Sequence, residues 1–555
     1  MNPAEFFRQT CRVARRARRL LAAELILILS TLALPVNAQE YDVLIMNGRV
    51  VDGSGNPFYY ADVAIVEDRI VAVGQLEAAA ATEVIDASGL VVSPGFIDLH
   101  THTDLLGNGM AESKVRQGVT VDIMGERSSV APRDGLGAAD SDGPNWTNFS
   151  EYFGLLEAQG IAMNIISHVS EGQIRRVVMG YETDKATPEQ MQSMKALLER
   201  SLKEGAWGLV TRFESGGTPH PEEVLELAKL TSDFGSVYFS HIGSEGYEQQ
   251  QELDFALRVA EEAEIPVHIL HLKVRGQQLW DEMPDYVTQI NQARARGLDV
   301  TANQYPYTAM SHGWSANFPL WMREEGPERF TEMLRDRSLR EEIKSDPEFI
   351  AWSQEHGWWE GIAMARASTP EVSAYEGMRL VDIASARGDD DPADTMIALM
   401  AAEEGSISGV FHNQSEENVR LIMRQPWVSI ASDGSAIDLN APGVPHPRSF
   451  GSNVRVLGKY VREEGVLTLE DAIRKMTSLP AQALGMQDRG LLKPGFAADV
   501  VIFDPDTVSD TNSFEFPKSY ARGVPYVLIN GELVIDEGIH TGAMPGRVLR
   551  GPATE

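Results

Sequence analysis

The stretch "LVVSPGFIDLHTHTD" (90–104) runs from apolar residues into two histidines, His100 and His102, flanked by Asp98 and Asp104. Residues i and i+2 of a strand face the same side. The two imidazoles can therefore share one ion at the end of an otherwise buried strand. The question is whether other strands bring similar groups to the same place.

They do. Further apolar runs with strand character follow: "VTVDIMGE", "MNIISHV", "WGLVTRF", "SVYFSHI", "PVHILHLK", "DVTANQYPY" and "VSIASDG". Helical stretches lie between them, at about 186–204, 221–232, 250–263 and 282–296. Eight strands alternating with helices predict a TIM-like (β/α)8 barrel, whose reacting face lies at the C-terminal strand ends. Those ends carry His100 and His102 on strand one, Glu126 on two, His241 on five, His271 and Lys273 on six, and Asp433 on eight. His168 ends strand three and is a candidate pocket-lining group, as is His446 after strand eight. His268 reads as packing. His220, His312, His356, His412 and His540 read as surface or loop.

One histidine at a strand end is usually a hydrogen-bonded core group. Four of them with Asp433 and Glu126 form a donor set suited to zinc or a similar divalent cation. A bound cation acidifies its water to a pKa of about 7. Asp433 is placed to carry the proton from water to a leaving amine; its alternative role is that of a ligand only.

Outside the barrel, "YDVLIMNGRVVDGSG" and "ADVAIVEDRIVAVG" alternate as hairpin strands, with "NG" and "ED" as turns. A matching pattern closes the chain: "ADVVIFDPDTV" and "YVLINGELVIDEG". Both ends thus predict one small β-sandwich domain. The expected order is a leader over 1–38, the β-domain over 39–92 and 491–555, and the barrel over 93–490. A helical insertion over about 312–405 falls between strands seven and eight.

The leader joins a basic segment, "RVARRARRLL", to the apolar "LILILSTLAL" and then "PVNAQ". These are the parts of a secretory signal peptide, with cleavage expected after Ala38 and a periplasmic or secreted product. The apolar run is short for a spanning helix, so membrane attachment is expected only through an uncleaved leader. Cys11, the one cysteine, lies in this leader, so the mature chain has no thiol or disulfide. Removing the leader's six basic and two acidic residues shifts the net charge from −33 to −37. A surface of that sign repels nucleic acid and anionic lipid.

"PGFIDLHTHTD", "SHIG", "HLK", "ASDG" and "GFAADVVIFDPDTV" together resemble the amidohydrolase superfamily. "QYPYTAMS" (304–311), "HPRSFGSNVRVLGKYVRE" (446–463) and "PGRVLR" (545–550) narrow the resemblance to the N-acyl-D-amino-acid deacylases, or D-aminoacylases. The resemblance implies hydrolysis of a linear amide C–N bond with one or two divalent ions, zinc by preference. It implies that His241 and His271 hold the tightly bound ion, that His100 and His102 mark a second position, and that Asp433 is the acid/base. It further implies that Lys273, Tyr305, Ser311 and Arg448 grip a small-molecule substrate by its carboxylate. A guanidinium suits that task, because it can clamp a carboxylate through two parallel hydrogen bonds.

Two segments depart from the pattern. Relatives carry a cysteine in a "GNCG"-like turn after strand two, whereas this chain reads "MGERSS". Glu126 is the natural replacement, a carboxylate able to bridge two ions. "RFESGG" after strand four departs as well and leaves the acyl pocket undefined. Two other readings are opening of a cyclic amide or cleavage of an unusual dipeptide, and a barrel that binds without catalysis. The ligand set and Asp433 weigh against the last.

Overall fold

The computed structural model describes residues 41–554 apart from 77–80, 127–128, 137–143, 181, 183, 213–219, 243–244 and 356. The leader and most of "RFESGG" lie outside the described residues.

The eight barrel strands are Phe96–Asp98, Val119–Met124, Asn164–Ser167 continued by Val169–Ser170, Gly208–Arg212, Val237–His241, Val267–Ile269, Val300–Gln304 and Val428–Ile430. Each pairs in parallel with the next. The ring closes where Thr101 bridges Gly434 in parallel. There the Asp433 amide donates to the His100 carbonyl at 2.8 Å, and the His102 amide to that of Gly434 at 2.8 Å. Ile97, Leu99, Val121, Ile123, Ile166, Val210, Phe239 and Leu270 fill the interior. Two residues beyond Val210 and Phe239, hence on the same face and one layer higher, stand Arg212 and His241.

Helices form where the pattern predicts them, at Pro188–Lys203, Pro221–Asp233, Gln249–Glu262 and Met283–Ala295. The first starts from a capping box: the Thr187 hydroxyl accepts the Gln190 amide, and the Gln190 side chain accepts the Thr187 amide.

The two chain ends meet in one hydrogen-bonded sheet of nine strands. Its period of two is visible in the packing. Val92, Val500, Ile502 and Leu528 turn toward the domain's own core, while Val91, Val501, Phe503, Val527 and Ile529 join the main cluster shared with the barrel.

Three local expectations need correction. "LVVSPGFIDLH" is two strands, so the barrel begins at Phe96 rather than 93. Val91–Pro94 pairs with Val500–Phe503 of the terminal sheet, whereas Phe96–Asp98 pairs with barrel strand two. Gly95 makes the hand-over, since a Cβ there would stand 2.2 Å from Thr120 Oγ1. "NG" at 47–48 is a bulge inside Tyr41–Val50, with Asn47 at φ 59° and Gly48 packed on Val92; it is not a turn. The final residues leave the terminal sheet. The Arg547 carbonyl accepts the Ile165 amide, the Leu549 amide donates to the Ile165 carbonyl, and the Gly551 amide donates to that of Gly205. The tail is thus wedged beside barrel strand three, which explains why that strand divides its partners.

The insertion has a core of its own, built on Trp314, Phe318, Phe349, Met396 and Phe411. A three-stranded antiparallel sheet, Met310–Gly313, Ile362–Arg366 and Ser408–Phe411, roots it. His312, expected at the surface or in a loop, lies in that sheet and stacks on Phe411 at 4.0 Å. Among the described residues no helix is long and apolar enough to cross a membrane.

Below the strand-end histidines lies a buried charge cluster. Lys114 donates to Asp98 Oδ2 and Ser432 Oγ, each at 2.7 Å, and stands 3.3 Å from Asp122 Oδ1. Asp98 Oδ1 accepts the Ser432 amide at 2.9 Å. Strands one, two and eight are thereby tied together at full burial. Removing one partner of such a group leaves uncompensated charge, at a cost of about 3–5 kcal/mol. Lys114→Met should destabilise the chain by that amount in chemical denaturation. A loss below about 1 kcal/mol would show that the cluster carries no weight.

His268 is buried in the barrel wall, with Nδ1 2.7 Å from Thr301 Oγ1 and Nε2 2.9 Å from Asn303 Nδ2. Burial pulls its pKa from 6.5 down to about 3. Between those values the unfolded chain binds the extra proton, so stability is complete above pH 6.5 and is lost as the pH falls toward 3. His268→Gln should flatten that part of a Tm-against-pH profile; an unchanged slope contradicts the assignment.

Candidate metal centre

The strand-end residues converge. Glu126 Oε2 lies 3.5 Å from both His100 Nε2 and His102 Nε2, and Oε1 lies 3.4 Å from His241 Nε2. Asp433 Oδ1 is 3.0 Å from His102 Nε2 and 3.7 Å from His100 Nε2. The His271 ring is centred 4.6 Å from that of His100 and 4.4 Å from that of His241. In three overlapping triads, His100–His102–Asp433, His100–Glu126–His271 and His241–Glu245–His271, one donor atom of each residue lies within 4.8 Å of the others.

The backbone bends to allow this. His271 and Asp433 follow their short strands at φ 33° and 50°, in the left-handed region that non-glycine residues seldom adopt. The Asn303 side chain pins the His271 amide at 2.6 Å. The bond between strands one and eight pins that of Asp433. Strain of this kind gathers at functional sites.

The electrostatics fit a cation. Burial acts to raise the Glu126 carboxyl, but His241, His100 and Arg212 outweigh it and hold it well below its usual range. Burial likewise acts against Asp433, and Arg448 and His100 prevail, so it too is held low. Burial is the largest influence on His241 and His100 and lowers both below the ordinary histidine value. Both His100 ring nitrogens, His241 Nδ1 and Glu126 Oε1 are buried without a hydrogen-bond partner among the described residues. Orphaned buried polar atoms are rare. Imidazole nitrogens and carboxylates are the donors that zinc takes. The residues present therefore fit one or two divalent cations.

The groups implicated in holding substrate lie beside this centre, each already hydrogen-bonded to another neighbour. Arg448 Nη1 donates to Asp433 Oδ2 at 2.5 Å. Lys273 Nζ donates to Glu245 Oε1 and lies 2.7 Å from His271 Nδ1. The Tyr305 hydroxyl accepts from Gln414 Nε2 at 2.8 Å, and its ring centre lies 5.3 Å from the Lys273 charge and 5.4 Å from that of Arg448. The Ser311 hydroxyl donates instead to the Gly409 carbonyl at 2.8 Å, and only the Ser311 carbonyl is near Arg448, at 3.5 Å. His446 fixes the start of the Arg448 helix: Nδ1 accepts the Arg448 amide at 3.0 Å, and Nε2 faces the Ala309 carbonyl at 2.9 Å. His168 is buried in the barrel interior, its ring 3.8 Å from that of Phe239.

Two residues that the sequence pattern passed over join the site. Arg212 Nε stands 4.0 Å from Glu126 Oε1. Glu245 Oε1 stands 2.8 Å from His271 Nδ1. Arg212 was legible in principle, two residues past an interior valine; Glu245, in a loop, follows no period.

The amidohydrolase family profile matches residues 83–535. The N-acyl-D-glutamate deacylase of Alcaligenes xylosoxydans xylosoxydans is 33% identical over 528 residues, which cover 93% of this chain and 98% of that one. Among solved structures, the N-acyl-D-glutamate deacylase of Bordetella bronchiseptica, complexed with zinc and a phosphonate inhibitor, superposes with a TM-score of 0.78 at 29% identity. It covers 92% of this chain and 100% of that one. A D-aminoacylase with a binuclear metal centre gives 0.74 at 31% identity, over the same shares. The chain belongs to the amidohydrolase family, and the centre is that of a metal-dependent hydrolase of carbon–nitrogen bonds.

Proposed function

We propose that this amidohydrolase cleaves N-acyl-D-amino acids, with water, to a carboxylate and a D-amino acid. The observation that carries the reading is the placement of Asp433. Its Oδ1 faces His102 among the metal donors, and its Oδ2 faces Arg448, a buried guanidinium of the kind that clamps carboxylates. Acid/base and anion clamp are thus within one side chain of each other. A substrate carrying an amide beside a carboxylate spans that distance.

His100, His102, Glu126, His241, His271 and Asp433 would hold the cation or cations. When bound, a cation supplies Lewis acidity, polarising the amide carbonyl and lowering the pKa of water to about 7. Arg448 and Lys273 orient the substrate by its carboxylate. Tyr305, whose ring lies near both charges, forms part of the pocket wall. Asp433 accepts a proton from the attacking water as the C–O bond forms, then passes it to nitrogen as the C–N bond breaks. The relatives named above act on D-configured N-acyl amino acids, which supports the stereochemistry.

Asp433→Asn should retain most of the bound zinc and lower kcat by about 10²–10⁴-fold. Near-normal turnover would remove Asp433 as the base. On a panel of N-acetyl-D-amino acids, their L forms, hydantoins, dihydrouracil and dipeptides, the wild type should turn over the D-amides first. Turnover of the rings alone would favour cyclic amides instead.

Export belongs to the same proposal, supported by the basic–apolar leader and a thiol-free mature chain. N-terminal sequencing of protein recovered outside the cytoplasm should begin at Gln39; an intact leader on cytoplasmic protein contradicts it.

A further inference from the structure

Two groups with separate tasks meet at one carboxylate oxygen. Glu245 Oε1 is 2.8 Å from His271 Nδ1 and accepts from Lys273 Nζ, which also lies 3.2 Å from the His271 carbonyl. Glu245, His271 and Lys273 are 3%, 4% and 5% exposed, so water cannot stand in for any of them. We propose that Glu245 is a positioning residue that sets His271 for the cation and Lys273 for the substrate carboxylate. This rests on the functional reading above and adds a residue to it.

Proton accounting gives the first argument. A neutral imidazole that offers Nε2 to a cation carries its proton on Nδ1. That proton needs an acceptor, and protonated Lys273, though close, can only donate. Glu245 Oε1 is the carboxylate oxygen in reach. Carboxylates behind metal-binding histidines fix tautomer and ring orientation in this way.

Geometry gives the second. His271 is held at φ 33° by Asn303 on its amide, which fixes the backbone but leaves the ring free to rotate. Glu245 Oε1, 2.8 Å from Nδ1, holds the ring itself.

Charge gives the third. Lys273 has a flexible stem and a buried ammonium, and the two carboxylates that support its charge are Glu245 and Asp433. Of the two, Glu245 is the one within hydrogen-bond reach, so it fixes where the ammonium stands.

The backbone at Glu245 and Lys273 has anchors apart from this side chain. The Arg275 amide donates to the Glu245 carbonyl at 2.8 Å, and Gln249 Nε2 to that of Lys273 at 2.8 Å. Substitution is thus a clean test in the full-length mature enzyme. Glu245→Leu removes acceptor and charge. Glu245→Gln keeps a neutral acceptor for Nδ1–H and removes only the charge that holds Lys273. Zinc affinity is read by competition with a chromophoric chelator, substrate grip by KM with N-acetyl-D-glutamate and N-acetyl-D-methionine, and integrity by the melting of the zinc-free chain.

Glu245→Leu should weaken zinc about 10–100-fold and raise KM. Glu245→Gln should recover zinc affinity to within about threefold of wild type, far inside the loss expected on losing an outer-shell partner, and still show the raised KM. A purely structural ion pair would lower the melting temperature of both variants and leave both constants of the folded fraction unchanged; that result overturns the proposal. Should Glu245→Leu not fold, an unchanged KM in Glu245→Gln overturns it alone. A wild type that binds zinc but hydrolyses neither substrate defeats the functional reading, and the zinc comparison still decides the role of Glu245.

Discussion

A carboxylate sealed between imidazoles is the constraint around which this molecule is arranged. Glu126 turns one oxygen to His100 and His102 and the other to His241, at 3% exposure. Burying one ionised carboxylate is costly, and Asp433 adds a second. Arg448, Lys273 and Arg212 repay part of it, and a divalent cation is the remaining counter-charge that this donor set fits. Glu126 stands where the resembling family carries its cysteine, and its two oxygens face imidazoles on either side.

The barrel exists to bring those groups together, and its weakest joint is reinforced. Strands one and eight are far apart in sequence and supply three of the donors, His100, His102 and Asp433. Backbone hydrogen bonds close that joint above, and the Lys114–Asp98–Ser432 cluster closes it below. Arg448, at the start of the helix Arg448–Arg455 that follows strand eight, then reaches back to Asp433. The insertion adds the Ser311 carbonyl beside that guanidinium. Asp433, Arg448 and the Ser311 carbonyl are thus joined by one short stretch of contacts, which lets a single carboxylate face both the imidazoles and a guanidinium.

Much of this was legible in the residues. Two imidazoles spaced by two at the end of a buried strand have one economical explanation, and their recurrence at strands five and six fixes the mouth of a barrel. What escaped the pattern had physical reasons. Lys114 is hidden because lysine reads as surface, and nothing in its neighbours announces a buried pair of aspartates. Glu245 lies on a loop, where neither period of 2 nor of 3.6 applies. "NG" forms a bulge because the strand opposite continues past it, a long-range fact. "SPG" splits one apparent strand because the next strand's Thr120 leaves no room for a Cβ at Gly95. Ser311 spends its hydroxyl on Gly409 because the strand it sits in pairs with the far end of the insertion. Residue type and spacing thus report the ligands well; the groups that orient those ligands come from distant segments and show only in three dimensions.

Anomalous X-ray scattering at the zinc edge, from crystals of the zinc-loaded mature protein, tests the central claim most directly. The account predicts a peak enclosed by His100, His102, Glu126, His241, His271 and Asp433, at about 2.0–2.2 Å from the nitrogen and oxygen atoms that bind it. A fully loaded crystal with no peak among these six residues, or with its zinc held elsewhere, would contradict it.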